Sequence, residues 1–227
     1  MMQIFAVAAL AVPPLCAPFT AAPVRPAAAM GHVLVREAET LKELYEAGVP
    51  FGAFLDGAEA RKQMWHDNWA AAGVPESLLE RARGVAGPFH VLVIAVDSCS
   101  DSVNSIPVIA KLVELVAGLD MRITDSKRGR QVMETHRTKD GRAATPTLLL
   151  LNPDFEEVGC WVERPTKLQA WYDAKQKEGL PVRQLTEQKM GWYRDDAGNE
   201  ILSELVQIME AAAKGGRICS SNSASGT

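Results

Sequence analysis

The pattern of apolar positions separates a helical front section from an alternation of strands and helices behind it. Apolar side chains recur at the spacing of an amphipathic helix over residues 33–48, 58–72 and 76–84. Pro75 stands where proline favours the first turn of the third helix. These segments predict a helical N-terminal extension over residues 31–87.

A continuous apolar run at residues 90–96 predicts a buried strand, and the apolar stripe of residues 100–117 predicts the helix after it. The following pattern predicts a strand, a polar helix, a two-stranded hairpin and a helix, over residues 119–124, 127–137, 145–151, 156–162 and 166–177. Because a helix joins the first two strands, they should be parallel, whereas the hairpin strands should be antiparallel. The core domain is predicted over residues 88–178.

The chain behind this core is predicted to be an extension with one more helix. Residues 179–199 show no clear periodicity and are expected to be irregular, whereas residues 199–213 carry an apolar stripe. The C-terminal extension is therefore placed at residues 179–216. Residues 217–227 are rich in serine, and we expect them to be a disordered tail.

Residues 1–30 form an apolar leader with one charge, Arg25. The run at residues 4–10 is typical of a secretory signal, but no basic residue precedes it and two prolines follow it closely. The alternative is a disordered or mis-assigned leader with the true start near Met30, which favours a cytoplasmic protein. No stretch reaches the roughly 18–20 apolar residues that span a bilayer, so we expect no stable membrane insertion.

Charge and cysteine usage exclude several function classes. The net charge is −4 and the sequence shows no basic stripe, which argues against nucleic-acid binding. The cysteines stand at positions 16, 99, 160 and 219 and form no C-x-x-C pair. We therefore expect neither a metal site nor a disulfide framework.

Cys99 carries the candidate chemistry, because it stands where a predicted strand gives way to a predicted helix. The unpaired N–H groups and the dipole at a helix N-terminus favour the reactive thiolate. Asp101, two residues later, opposes the thiolate through its negative charge or, alternatively, caps the helix.

The element order and these motifs resemble the thioredoxin fold over about residues 88–178. Cys99 matches the first cysteine of the thioredoxin site, and Pro107 matches the proline eight residues later. Pro146, between Thr145 and Thr147, matches the cis-proline before the third strand; a trans-proline that starts an edge strand is the alternative. The resemblance implies an α/β, thioredoxin-like fold with a central mixed sheet flanked by helices, the helical N-terminal extension and a C-terminal helix.

Two segments are similar to a group of bacterial thioredoxin family proteins with a Trp-Cys-Gly-Asp-Ser site. They are Ser98-Cys99-Ser100-Asp101-Ser102 and Gly159-Cys160-Trp161-Val162-Glu163-Arg164-Pro165. This group has a C-x-x-S site in place of the dithiol. The chain departs from thioredoxins at several positions: Ser102 replaces the second cysteine, Ser98 the tryptophan, Ser100 the glycine, and Val93 the buried proton-relay aspartate.

The resemblance implies a thiol-disulfide oxidoreductase that works with a single thiol. Cys99 would attack a disulfide while the Ser102 hydroxyl donates a hydrogen bond to the sulfur. Asp101, Thr145 and Pro146 would bind the substrate. The expected partners are protein or small-molecule disulfides, with glutathione or another small thiol as co-substrate, and no bound cofactor is implied. The alternatives are a redox-inactive binding module and an oxidation sensor.

Cys160 raises a second hypothesis, that it resolves Cys99 in an unconventional dithiol pair. This requires Cα atoms about 4.4–6.8 Å apart. One step of strand alternation would instead point Cys160 to the other face, as a small buried apolar residue. Glu163 and Arg164 are expected to form a surface ion pair, with an ion pair near the site as the alternative. His136 is expected to be a solvated helix residue.

Overall fold

The computed structural model describes residues 39–85, 87–220 and 224. The predicted leader at residues 1–30 and the start of the first predicted helix lie outside the described residues. None of the helices in the described ranges is long and apolar enough to cross a membrane.

Over residues 89–177, helices and strands alternate as the periodicity predicts. The helices of the described part of the chain are α1 Leu41–Glu46, α2 Phe51–Gly57, α3 Lys62–Ala71, α4 Glu76–Arg83, α5 Ser100–Leu115, α6 Arg130–Thr135, α7 Thr166–Lys177, α8 Val182–Asp196 and α9 Asn199–Ala213. Its strands are β1 Phe89–Ala95, β2 Leu119–Asp125, β3 Thr147–Leu151, β4 Glu157–Val162 and β5 Ile218–Cys219.

The five strands form one mixed sheet in the order β2-β1-β3-β4-β5. β1 and β2 are parallel, because α5 carries the chain back over the sheet between them. β1–β3 and β3–β4 are antiparallel. The sheet with its flanking helices confirms the predicted α/β, thioredoxin-like class, with helices before and after the core.

Strand alternation gives the sheet two separate apolar faces. Val91 and Val93 of β1 pack with α5 and α9 in one cluster, and Trp161 of β4 lies on the same side. Leu92 of β1 and Cys160 of β4 pack in a second cluster with α1 and α6. Neighbouring residues of β4 therefore serve opposite faces of the sheet.

Two helices were not predicted from the periodicity. α2 begins directly after Pro50, which ends the preceding segment and serves as the N-cap of the new helix. α8 lies in residues 179–199, which were expected to be irregular. Its buried face consists of Leu185, Lys189 and Tyr193, spaced four residues apart. The lysine in the middle of this face interrupts the apolar stripe by which a helix is recognised.

Residues 217–220 belong to the predicted disordered tail but are ordered in part, whereas the rest of that tail, apart from residue 224, lies outside the described residues. Ile218–Cys219 forms β5, which pairs in parallel with β4 in register Cys160↔Cys219. Cys160 and Cys219 form a disulfide bond. The backbone N–H of Ser220 donates to the carbonyl of Cys160 at 2.8 Å, which extends the pairing by one more bond.

Candidate functional site

Cys99 is the N-cap of α5, and it is free and partly exposed. Its Sγ accepts a hydrogen bond from the backbone N–H of Ser102 at 3.4 Å. This contact and the N-terminal end of the 16-residue helix both favour negative charge on the sulfur. The local sequence produces this geometry because the buried strand ends just before a segment with helical periodicity.

The loop before β3 lies directly against the sulfur. The thiol of Cys99 donates to the carbonyl of Thr145 at 3.1 Å. The Thr145–Pro146 peptide bond is cis, and the carbonyl of Pro146 accepts from the N–H of Glu163 at 2.8 Å. Thr145 is partly exposed whereas Pro146 is buried. Thr145 is therefore the more solvent-accessible of these two residues beside the sulfur.

Ser102 meets the sulfur through its backbone and not through its hydroxyl. The side chain is fully buried, and its Oγ has no hydrogen-bond partner among the described residues. The expected donation from the hydroxyl to Cys99 is therefore absent, because the first turn of α5 presents the N–H of this residue to the N-cap and turns the side chain into the core.

Asp101 is buried beneath the first turn of α5, so it neither caps the helix nor faces a substrate. Both of its carboxylate oxygens accept from Lys189 Nζ at 2.9 Å. Its Oδ1 accepts from the hydroxyl of Tyr193 at 2.8 Å. Its Oδ2 lies 3.3 Å from Nη2 of Arg164. Since two cations compensate the carboxylate, its charge opposes a thiolate at Cys99 less than the sequence suggests.

Glu163 and Arg164 belong to the same buried group, which corrects their prediction as a surface pair. They are 4% and 5% exposed. Glu163 accepts two hydrogen bonds from Arg142, at 2.8 and 2.9 Å, and also pairs with Arg164. The guanidinium of Arg164 lies over the ring of Tyr172, 4.5 Å from its centroid. Two of its nitrogens, Nε and Nη1, have no partner among the described residues.

The charges in this group stabilise one another in their ionised forms. Burial alone would lower the pKa of Arg164, but the charges of Asp101 and Glu163 outweigh it and raise the pKa. Burial and the neighbouring Asp101 carboxylate raise the pKa of Tyr193 well above its usual value. Tyr193 therefore remains a neutral hydrogen-bond donor to the carboxylate.

The helical front section fixes the loop that delivers Cys99. Asp97 Oδ2 accepts from the backbone N–H groups of Glu59 and Ala60, at 2.9 and 2.8 Å. The indole of Trp65 donates to the carbonyl of Asp97 at 3.0 Å, and Arg61 Nε donates to the carbonyl of Ser98 at 2.7 Å. Arg61, just before α3, and Trp65, within it, thus hold both carbonyls that precede the cysteine.

A cavity of about 370 Å³ lies between α3, α5 and α8. Asn68, Asn104, Met190 and Arg194 line it. Asn104 Nδ2 also donates to the carbonyl of Ser100 at 2.6 Å, which links the cavity wall to the first turn of α5. The amide nitrogen of Asn68 likewise donates to the carbonyl of Val103 at 2.7 Å, and the guanidinium-bearing Arg194 belongs to the polar part of the lining.

Cys160 is not part of this site, which contradicts the hypothesis that it resolves Cys99. It is bonded to Cys219 and packs on the sheet face that holds α1 and α6. Its neighbour Trp161 occupies the face that holds α5. Strand alternation therefore directs the Cys160 side chain away from the helix that carries Cys99.

A family model described as Thioredoxin matches residues 48–177, more than half of the 227 residues. The chain belongs to the thioredoxin family. No curated protein matches it. A 1.5 Å crystal structure of a protein of unknown function from Pseudomonas aeruginosa is similar, with a TM-score of 0.60 and 23% identity, over 77% of this chain and 99% of that chain. An HIV epitope-scaffold has a TM-score of 0.60 and 19% identity, over 76% of this chain and 98% of its own. At these identities, the two structures show a shared fold and carry no activity.

Sequence reasoning missed the basic and phenolic partners of Asp101 in this thioredoxin family member. Lys189 and Tyr193 stand four residues apart, and Leu185 precedes them by another four. A lysine inside an i, i+4 apolar series is a signal for a buried, paired cation. The sequence gives a weaker signal for the burial of Arg164, because an Arg-Pro step before a helix is as common on the surface as in the interior.

Proposed function

We propose that this thioredoxin-family protein is a thiol-disulfide oxidoreductase that uses Cys99 as its nucleophile at a C-x-x-S site. The observation that supports it best is the position of the sulfur: partly exposed, at the N-terminus of a long helix, and 3.4 Å from an N–H donor. Such a position favours the thiolate, the form that attacks disulfides.

The reaction needs an external thiol because Ser102 replaces the second cysteine. The Cys99 thiolate attacks one sulfur of a disulfide, forms a mixed disulfide and releases the other sulfur as a thiolate. A second thiol, such as glutathione, then attacks the substrate sulfur of the mixed disulfide. A new disulfide leaves, and the electron pair of the broken bond returns to Cys99.

Substrate binding is proposed at the backbone of Thr145, which lies against the sulfur. A disulfide-bearing peptide would lie along this loop. A backbone N–H of the peptide would donate to the Thr145 carbonyl in place of the Cys99 thiol, which donates to it in the free protein. The cavity lined by Asn68, Asn104 and Arg194 is the proposed seat for the remainder of the substrate.

A redox-inactive binding module is the second candidate, and one contact favours it. The carbonyl of Thr145 is an acceptor, so its 3.1 Å contact with the sulfur stabilises the neutral thiol. In that case the same groove would hold a partner without bond exchange.

The rate of Cys99 alkylation against pH tests the proposal. The experiment uses the Cys16→Ser variant, with Cys99→Ser in the same background as the control. A midpoint well below the ~8.5 of a free cysteine, absent in the control, supports the oxidoreductase. Incubation with oxidised glutathione should then yield one mixed disulfide, detected by intact mass. A midpoint at or above that of free cysteine would overturn the oxidoreductase and favour the binding module.

A further inference from the structure

A group of metal-ligating side chains lies on the sheet face opposite α5, away from Cys99. The ligand atoms of His136, Glu157 and Cys160 lie within 4.8 Å of one another. The sulfur of Cys219 is bonded to that of Cys160, so it belongs to the same group. These residues form no metal motif in the sequence, because His136 directly follows α6, Glu157 and Cys160 lie in β4, and Cys219 lies in β5.

The imidazole of His136 is oriented like that of a metal ligand. Its Nδ1 lies 2.9 Å from the carbonyl of Val132, to which it donates a proton. Its Nε2 points at Oε2 of Glu157, 3.0 Å away. A ring nitrogen fixed by a backbone carbonyl is the usual support for a histidine that binds metal through the other nitrogen.

The carboxylate of Glu157 has a separate partner for each of its oxygens. Its Oε2 faces Nε2 of His136 at 3.0 Å, and its Oε1 pairs with Nη2 of Arg217. The pair with Arg217 therefore leaves Oε2 directed at the imidazole.

We propose that His136, Glu157, Cys160 and Cys219 form a zinc site when the disulfide is reduced. One imidazole, one carboxylate and two thiolates make up a four-ligand set of the type that binds zinc tetrahedrally. Zn–S and Zn–N bonds of about 2.3 and 2.0 Å place tetrahedral donors about 3.3–3.8 Å apart, a separation within reach of this cluster. The disulfide form lacks the two thiolates and cannot provide this set.

The conversion requires an external reductant, such as a dithiol. The dithiol gives two electrons and two protons to the Cys160–Cys219 bond and becomes a disulfide itself, leaving two thiols. Zn²⁺ then displaces both thiol protons to water. It also displaces the proton that His136 shares with Glu157 when the imidazole is charged. Cys219 is the accessible sulfur, since it is partly exposed near the end of the chain whereas Cys160 is fully buried.

Cobalt titration of the full chain tests the site. The oxidised protein is compared with protein reduced by a phosphine, which breaks the disulfide by taking oxygen from water. Co²⁺ serves as the spectroscopic probe, and Zn²⁺ displaces it. We expect the reduced protein to bind one Co²⁺ per chain with a thiolate-to-cobalt charge-transfer band, and the oxidised protein to show no such band.

Variants separate this cluster from the other ligands of the chain. Cys160→Ser and Cys219→Ser should lose the band. His136→Gln should weaken Co²⁺ binding by more than about tenfold, whereas the matched control His66→Gln should leave it unchanged. Cys99→Ser and Cys16→Ser remove the other two thiols and should retain the band. Equal binding by oxidised and reduced protein, loss of the band in Cys99→Ser, or indistinguishable His136→Gln and His66→Gln variants would each overturn the proposal.

The reduced, metal-free protein provides a further check. Its circular dichroism should remain close to that of the oxidised form, because β5 contributes only two residues to the sheet. A reduced chain that unfolds and takes up no Co²⁺ would also overturn the proposal.

Discussion

The ammonium of Lys189 lies 2.9 Å from both carboxylate oxygens of Asp101, under the first turn of the helix that Cys99 caps. Lys189 also donates to the Ser100 hydroxyl at 2.9 Å. The side chains of Lys189 and Asp101 are both 7% exposed. A helix outside the thioredoxin core thereby neutralises an acidic group within two residues of the candidate nucleophile.

Lys189→Met should destabilise the protein by about 3–5 kcal/mol, because it leaves a buried carboxylate with only part of its compensation. Asp101→Asn together with Lys189→Met should recover part of the loss, since no charge then remains unpaired. Urea unfolding measures both. Lys175→Met, which removes an exposed pair with Glu178, is the matched control and should cost less than about 1 kcal/mol.

The same variants should change the alkylation profile of Cys99. The charged groups around its helix N-terminus are Asp97, Asp101, Arg61, Lys189, Arg164, Glu163 and Arg142. Removal of the Lys189 charge should move the midpoint of the pH–rate curve upward, and the double variant should move it back. If Lys189→Met and Lys175→Met give the same midpoint, the cluster has no influence on the sulfur.

Ser102→Ala should leave the alkylation rate within about twofold of the wild type and maintain or increase stability, because a buried hydroxyl without a partner costs about 1–3 kcal/mol. The backbone N–H that contacts Cys99 is unaffected by this change. Stopped-flow alkylation and urea unfolding provide the measurements. A several-fold loss of rate would show that the hydroxyl reaches the sulfur, as the sequence alone suggests.

Cys219→Ser should lower the free energy of unfolding by about 4 kcal/mol in a chelator-containing buffer. The disulfide links residues 59 positions apart, and closure of a loop of this length restricts the unfolded chain by that order. Reduction of the wild-type protein should lower its free energy of unfolding by a similar amount. Cys99→Ser should keep the contribution of the disulfide in full. Non-reducing peptide mapping should recover Cys160 and Cys219 in one linked pair. Mapping that finds both as free thiols after purification in air would contradict the pairing.

His136→Gln should destabilise the protein most between about pH 4.5 and 6.5. Against the effect of burial, the hydrogen bond and charge of Glu157 raise the pKa of His136 above 6.5. Also against burial, His136 and Arg217 lower the pKa of Glu157 below 4.5. The histidine contribution is present below pH 6.5 and is lost as the pH rises through the raised pKa. The carboxylate contribution is present above pH 4.5 and is lost as the pH falls through the lowered pKa.

Urea unfolding of the wild type and His136→Gln at several pH values, with a chelator present, measures this dependence. The difference in unfolding free energy should shrink towards pH 8. Glu157→Gln removes the carboxylate that pairs with His136, and it should destabilise the protein over the same pH range. A difference that is constant with pH would show that the pair does not titrate as the geometry implies.

Much of the architecture follows from local pattern. The buried run of β1 and the apolar stripe of α5 predict a strand and a helix, and their junction predicts Cys99 at a helix N-terminus, as observed. The hairpin of β3 and β4 and the helix α7 also follow, because turn residues and proline mark their limits. α8 escapes prediction because Lys189 lies on its buried face.

The side chains that decide the chemistry are less predictable. Charged residues such as Asp101, Glu163 and Arg164 are usually found on the surface. Their burial here depends on partners that lie far away in the sequence. Cys160 follows Gly159 in β4, yet strand alternation turns its side chain to the sheet face that holds α1 and α6. Period-two alternation is certain in a strand, but which parity faces the helix depends on the register between strands.

The sequence by itself determined the order of elements from β1 to α7 and the place of Cys99, because these depend on short-range periodicity. The thioredoxin class was implied by the resemblance that the motifs around Cys99 and Pro146 carry. Only the tertiary structure decided the pairs Lys189–Asp101 and Cys160–Cys219, which are 88 and 59 residues apart. Such pairs form where the sheet order and the packing of α8 and β5 bring distant segments together. No local pattern encodes that proximity, since each partner alone is equally compatible with solvent.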